Sequence, residues 1–259
     1  MEQTLIHNPT IDNLLNRKSI RKYTSTEPTD EVIKTIVAAG QQAPFAYQLG
    51  SVLLSRKTQT NPFKAPLYFI VCIDLYRFER IMALRNWQTG SNDLSLLILG
   101  FQDASLMAQN MVTAGESLGL GSCFLGAIPY QAKAIIEQFQ LPPRVFPMVG
   151  LTMGYPAENP PIRPRYPINF TLFEDKYPEF SDEQLQEAMQ IMDEGYLNQD
   201  YYKKANYIIP LEDGRAETYT FENYSWTEHI SRKIGLWQKS PKSILAAFRR
   251  CFINIPGSK

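Results

Sequence analysis

A chain of 259 residues and 29.7 kDa can bury a substantial core, as one large domain or as a domain with an extension. Its 26 basic residues balance 26 acidic ones, so no global field argues for nucleic acid. Cys72, Cys123 and Cys251 lie far apart without CxxC spacing, which excludes a disulfide frame or cysteine zinc site, and two histidines exclude a His-rich metal centre.

Residues Met1 to Ile11 lack the charged start and apolar core of a signal peptide. The densest apolar run, Leu94 to Phe101, falls far short of the roughly 20 residues a membrane span needs. A soluble cytoplasmic protein is expected. In chain order, Asn8-Pro9 starts a helix with Ile11, Leu14 and Leu15 on its apolar side. It runs into Arg17-Lys18-Ser19-Ile20-Arg21-Lys22-Tyr23, four cations and a hydroxyl interrupted by one apolar side chain that points inward. Such a cluster either holds a phosphate through paired guanidinium donors or forms a solvated charged turn.

Thr29 caps a second helix, whose dipole Asp30 and Glu31 complement. The following loop, Gln41 to Gln48, carries amide and aromatic groups that suit the edge and face of a heterocycle, or a packed connection. Val52–Leu54 and Leu67–Ile73 read as strands, the second central in its sheet, with Gln59 and Asn61 in the link. Tyr76 to Trp87 reads as helical. A long helix beginning near Asp93 then presents Ala104, Met107, Ala108, Met111 and Gly115 on one buried face. Gly119-Leu120-Gly121 stops it, and Ser122–Leu125 forms a strand ending at Gly126-Ala127, bare backbone against which a flat ligand can lie, or a tight turn. Pro129 opens another helix through Phe139, and Val145–Met153 is the last strong strand.

From Tyr155 the texture changes. Five prolines between Pro156 and Pro167 make an extended segment in which Arg163 and Arg165 point the same way, toward one anion or simply into solvent. Ser181 to Gln184 matches a capping box before a polar helix. The tyrosine-rich stretch after Tyr196 reads as a mobile excursion. The last helices, from Trp226 and again from Pro241, carry Lys239, Lys242, Arg249 and Arg250, for packing on a partner subunit or lying on a membrane surface, the former preferred. Residues 1–195 are thus expected as the core domain and 196–259 as excursion and C-terminal extension.

Taken in order, Arg17 to Tyr23, Ala108-Gln109-Asn110 through Gly121, Gly150 to Pro160 and Arg163-Pro164-Arg165 resemble the FMN-dependent nitroreductase family. Within it they resemble the larger branch of NADPH-dependent nitroreductases and flavin reductases. The resemblance spans Asn8 to Lys204 and returns at Trp226 to Lys233. It implies an α+β fold, a central mixed sheet with helices on both sides, in an intertwined homodimer with two FMN sites at the interface. It assigns Arg17, Lys18, Ser19, Arg163 and Arg165 to the FMN phosphate and ribityl chain. Arg21 goes to the flavin's pyrimidine end, where its charge raises the reduction potential.

The same resemblance lays Pro44, Phe45, Ala46 and Gln48 along the isoalloxazine, Gln59 at its polar edge, and Gly126 and Ala127 near the hydride-accepting nitrogen. Many relatives are serine-rich where this chain has Pro44-Phe45-Ala46, and have glycine where it has Ala127. Lys203, Lys204 and Arg215 are candidates for the NADPH 2′-phosphate, with surface solvation as the alternative. The expected activity is hydride transfer from NADPH through FMN to a nitroaromatic, quinone or free flavin. The alternatives are a flavoenzyme for a dedicated metabolite, or a non-catalytic FMN-binding protein. No catalytic side chain and no metal is expected, since the flavin carries the chemistry.

Overall fold

The computed structural model describes residues 5–211 and 214–235. Four apolar runs become strands β1 (Gly50–Ser55), β2 (Leu67–Asp74), β3 (Gly121–Leu125) and β4 (Val145–Gly154), in sheet order β1-β2-β4-β3. All three strand pairs are antiparallel. The resemblance implied a mixed sheet; the parallel component found is a single bridge, Ser19 to Ser122, on the outer edge of β3. The physical reason is connectivity: a short link reverses the chain between β1 and β2, and β4 enters between β2 and β3 against the direction of both.

Five helices accompany the sheet: α1 (Pro9–Leu15), α2 (Asp30–Gln41), α3 (Leu75–Leu84), α4 (Asp93–Ser117) and α5 (Ala132–Phe139). The starts of α1 to α4 carry side-chain caps that satisfy otherwise orphaned N–H groups. Asn8 accepts from the Ile11 N–H at 2.9 Å, Thr29 from Val32 at 3.4 Å and Asn92 from Leu94 at 2.8 Å. Strand β2 is buried at every residue but Asp74, because both faces are covered. Phe69, Val71 and Ile73 pack with Ile36 of α2 and Met111 of α4, while Tyr68, Ile70 and Cys72 pack with Ile135 of α5. Pro147 lacks an N–H, and the β2–β4 register slips there: Val71 faces Val149 but Cys72 faces Pro147.

A second compact unit begins at Pro161. It contains α6 (Asp182–Leu197), α7 (Tyr201–Ala205) and α8 (Trp226–Gly235). The Ser181–Gln184 capping box is present at the start of α6. Met192 and Tyr196 of α6 share a core with Tyr202 and Tyr224. That core also shows that the stretch after Tyr196, expected as an excursion, carries buried packing residues of its own. The expectations for Lys239, Lys242, Arg249 and Arg250 lie outside the described residues. Among the described residues no helix is long and apolar enough to cross a membrane.

Within this unit Arg232 is only 3% exposed, and its guanidinium donates to Glu217 at 2.6 and 2.8 Å and to Glu228 at 2.7 Å. The Arg232 hydrogen bond holds the Glu217 carboxyl down at about 2, from an ordinary 4.5. A carboxyl depressed in the folded state contributes stability in full above its unfolded pKa and loses it as pH falls through the folded one. Glu217→Gln is therefore expected to be less stable than wild type at neutral pH, with the gap in urea melts closing between about pH 4.5 and about 2. A gap independent of pH would contradict this.

Candidate functional site

The segment from Arg17 to Tyr23 is placed by its backbone. Ile20, 4% exposed, turns inward, and its N–H donates to the Ser122 carbonyl at 2.8 Å, docking the segment on the edge of β3. Approach is that close because Gly121 has no side chain: a Cβ there would meet Ile20 at 2.6 Å. Further along, the Arg21 and Lys22 N–H groups donate to the Glu158 carboxylate at 2.6 and 3.1 Å, and the Tyr23 hydroxyl donates to the Ile20 carbonyl at 2.6 Å. Burial pushes the Tyr23 hydroxyl far above its ordinary pKa, so it stays a neutral donor.

The cations themselves are left largely uncompensated. Arg17 lies over the Phe124 ring at 6.0 Å, and its Nη1 is buried with no hydrogen-bond partner. A buried guanidinium nitrogen without an acceptor is costly, and an arriving anion relieves that cost. The nearby Glu116 accepts from the Ser122 hydroxyl at 2.7 Å. Burial raises the Glu116 pKa, opposed by that hydrogen bond and by the charge of Arg17. Lys18 donates to the Asn159 side chain.

The loop after α2 is held by one buried acid. Asp103 of α4, 4% exposed, accepts from the Ala46, Tyr47 and Leu49 N–H groups at 2.7, 3.2 and 2.9 Å. Gln48 takes a left-handed φ of 54°, and its carbonyl accepts from Arg77 at 2.7 Å. A cavity of about 430 Å³ opens beside this loop, lined by Pro44, Phe45, Tyr47, Gln48, Arg77 and Phe78 among others. Three of the four expected loop residues thus share one cavity; Ala46 does not line it, and its N–H is bound to Asp103. Gln59 sits in an exposed turn after β1. Gly126 and Ala127 are exposed at the end of β3, with open space where a Gly126 Cβ would stand.

In the second unit, Arg163 lies over the Tyr201 ring at 4.1 Å and donates to Gln199. Arg165 is exposed, and its Nη1 donates to the Arg163 and Pro164 carbonyls at 3.1 and 2.9 Å. The two side chains therefore do different jobs. Lys203 pairs with Glu222 at 2.8 Å, Lys204 donates to the Gln199 carbonyl at 2.9 Å, and Arg215 is exposed. His7 pairs with Asp12 at 2.6 Å and His229 bonds the Tyr224 hydroxyl at 3.0 Å, so each has a local partner.

The sequence profile of the nitroreductase family matches residues 14–56 and 52–155, more than half of the chain. The chain belongs to the nitroreductase family. It is 30% identical over 205 residues to an NADPH-flavin oxidoreductase of Vibrio harveyi, covering 74% of this chain and 84% of that one. It is also 30% identical over 240 residues to an oxygen-insensitive NADPH nitroreductase of Salmonella typhimurium, covering 87% and 91%. Among solved structures, an NADPH:FMN oxidoreductase from Vibrio harveyi complexed with NAD+ superposes with a TM-score of 0.73 at 26% identity, covering 93% of this chain and 97% of that one.

Two acids of this candidate site, Asp103 and Glu158, were not singled out from the sequence. Asp103 had a legible signal: it is an acid directly before the buried face of an apolar helix, where burial requires several donors. Asp103→Ala is expected to cost about 3 kcal/mol, since charged hydrogen bonds are worth about 1.5–3 kcal/mol each and the Leu49 N–H is left buried. It should also free the loop backbone enough for chymotrypsin to cut after Phe45 or Tyr47, which already stand at the surface. Wild-type stability with an uncut loop would contradict the assignment.

Proposed function

We propose that this chain is an FMN-dependent NAD(P)H oxidoreductase that reduces nitroaromatics, quinones or free flavin, working as a homodimer. The observation that carries this reading is the buried, unpartnered Nη1 of Arg17 amid a cluster of cations on the edge of β3. A phosphate monoester supplies the missing acceptor, and the named activities of the two relatives point to a flavin as the molecule bearing it. Bound FMN would supply the hydride-accepting and hydride-donating chemistry, which explains why no acid–base pair is needed.

In this reading Arg17, Lys18 and Ser19 hold the phosphate. Arg21 offers its charge to the pyrimidine end of the ring. Pro44, Phe45 and Gln48 flank the ring from their shared cavity, while Ala46 holds the loop through Asp103. Gln59 reaches toward the polar edge from its turn, and the open backbone at Gly126 and Ala127 admits the ring edge without a side chain in the way. Lys203, Lys204 and Arg215 offer charge to the NADPH 2′-phosphate, with Lys203 first giving up Glu222.

Changing Arg17 and Lys18 together to alanine tests the phosphate assignment. Losing two charge-assisted contacts at about 1.5–3 kcal/mol each weakens FMN binding by roughly a hundredfold or more. The variant should fold, elute as wild type does and emerge from gel filtration without flavin. Stoichiometric flavin retained in the variant would overturn the site.

A further inference from the structure

Between β1 and β2 the backbone does something unusual. Phe63 and Lys64 both take left-handed conformations, φ 57° and 50°, at neighbouring non-glycine positions. A bulky residue there is a steric outlier that glycine would relieve. What imposes the conformation is Asn61, 6% exposed and fully bonded: its amide donates to the Ser55 and Ala65 carbonyls at 3.1 and 2.9 Å, and its oxygen accepts from the Ser55 hydroxyl at 2.8 Å. That clamp joins the end of β1 to the start of β2 and leaves Phe63 at the tip of the turn.

Core packing does not explain the phenylalanine, because Phe63 is 43% exposed. What the ring does touch is Arg21, whose guanidinium carbon stands 5.9 Å from the ring centroid, within cation–π range. The Arg21 backbone is already fixed by Glu158, but its side chain makes no hydrogen bond or ion pair among the described residues. The aromatic face is therefore the contact that restricts where this cation points.

We propose that Phe63 is a positioning residue of the flavin site: the Asn61 clamp holds its ring out of the fold so that the ring aims the Arg21 guanidinium at the pyrimidine end of the cofactor. The inference rests on the flavin reading of Arg21 given above. Backbone strain is retained at a position where it serves a neighbouring functional charge, and glycine, which would remove the strain, would remove the ring as well.

The test compares Phe63→Gly, Phe63→Tyr and Arg21→Ala with wild type, reading the thermal midpoint of the apoprotein and the midpoint potential of bound FMN. Phe63→Gly is expected to raise the apoprotein Tm, since glycine accepts the left-handed backbone. It is also expected to lower the flavin potential by about 30 mV, a tenfold loss in affinity for reduced relative to oxidised FMN. Phe63→Tyr keeps the ring and should keep the wild-type potential. Added to Arg21→Ala, Phe63→Gly should shift the potential no further. A common potential in wild type, Phe63→Gly and Phe63→Tyr, or equal shifts in the two Phe63 variants, overturns the role of Phe63 and leaves the flavin site standing. Wild-type protein that holds no FMN overturns both.

Discussion

The site depends on the docking of an extended basic segment against the edge of β3. Edge strands offer unpaired backbone groups, and here the Ser122 carbonyl receives the Ile20 N–H while Ile20 fills the space that Gly121 leaves open. Backbone hydrogen bonds and one apolar anchor thus carry the holding, and the charged side chains are not needed for it. Had Arg17, Lys18 and Arg21 been fixed by ion pairs, their charge would have been consumed in the fold.

The same division of labour recurs in the acids nearby. Glu158 gives its carboxylate to the N–H groups of Arg21 and Lys22 and not to their side chains, and Asp103 gives its own to three N–H groups of the loop before β1. Charge-assisted bonds to backbone are strong and directional, so two carboxylates fix two loops. The local excess of positive charge survives, although the chain as a whole is neutral. A dianionic ligand therefore meets pre-placed donors and loses little in ordering them.

Most of the frame was legible because its signals are local. Asn8, Thr29 and the Ser181–Gln184 pair cap helices through contacts three residues away, and the all-apolar run of β2 announces a strand covered on both faces. The inward turn of Ile20 followed from its isolation among cations. What stayed hidden depends on contacts distant in sequence. Asp103 meets Ala46 across 57 positions and Glu158 meets Arg21 across 137, and no spacing rule reaches so far. The extended-chain rule placed Arg163 and Arg165 on one side, but it took no account of Tyr201 and Gln199, which occupy Arg163. The packing of the second unit was hidden for the same reason, since Met192, before residue 195, and Tyr196, Tyr202 and Tyr224, after it, share one core.

In the proposed function, the cations on the β3 edge hold a redox-active FMN. The most direct measurement is the visible spectrum of the purified protein before and after anaerobic NADPH. Yellow absorption that bleaches on adding NADPH is expected, with FMN recovered from the protein on heating. A colourless protein that takes up no added FMN would contradict it.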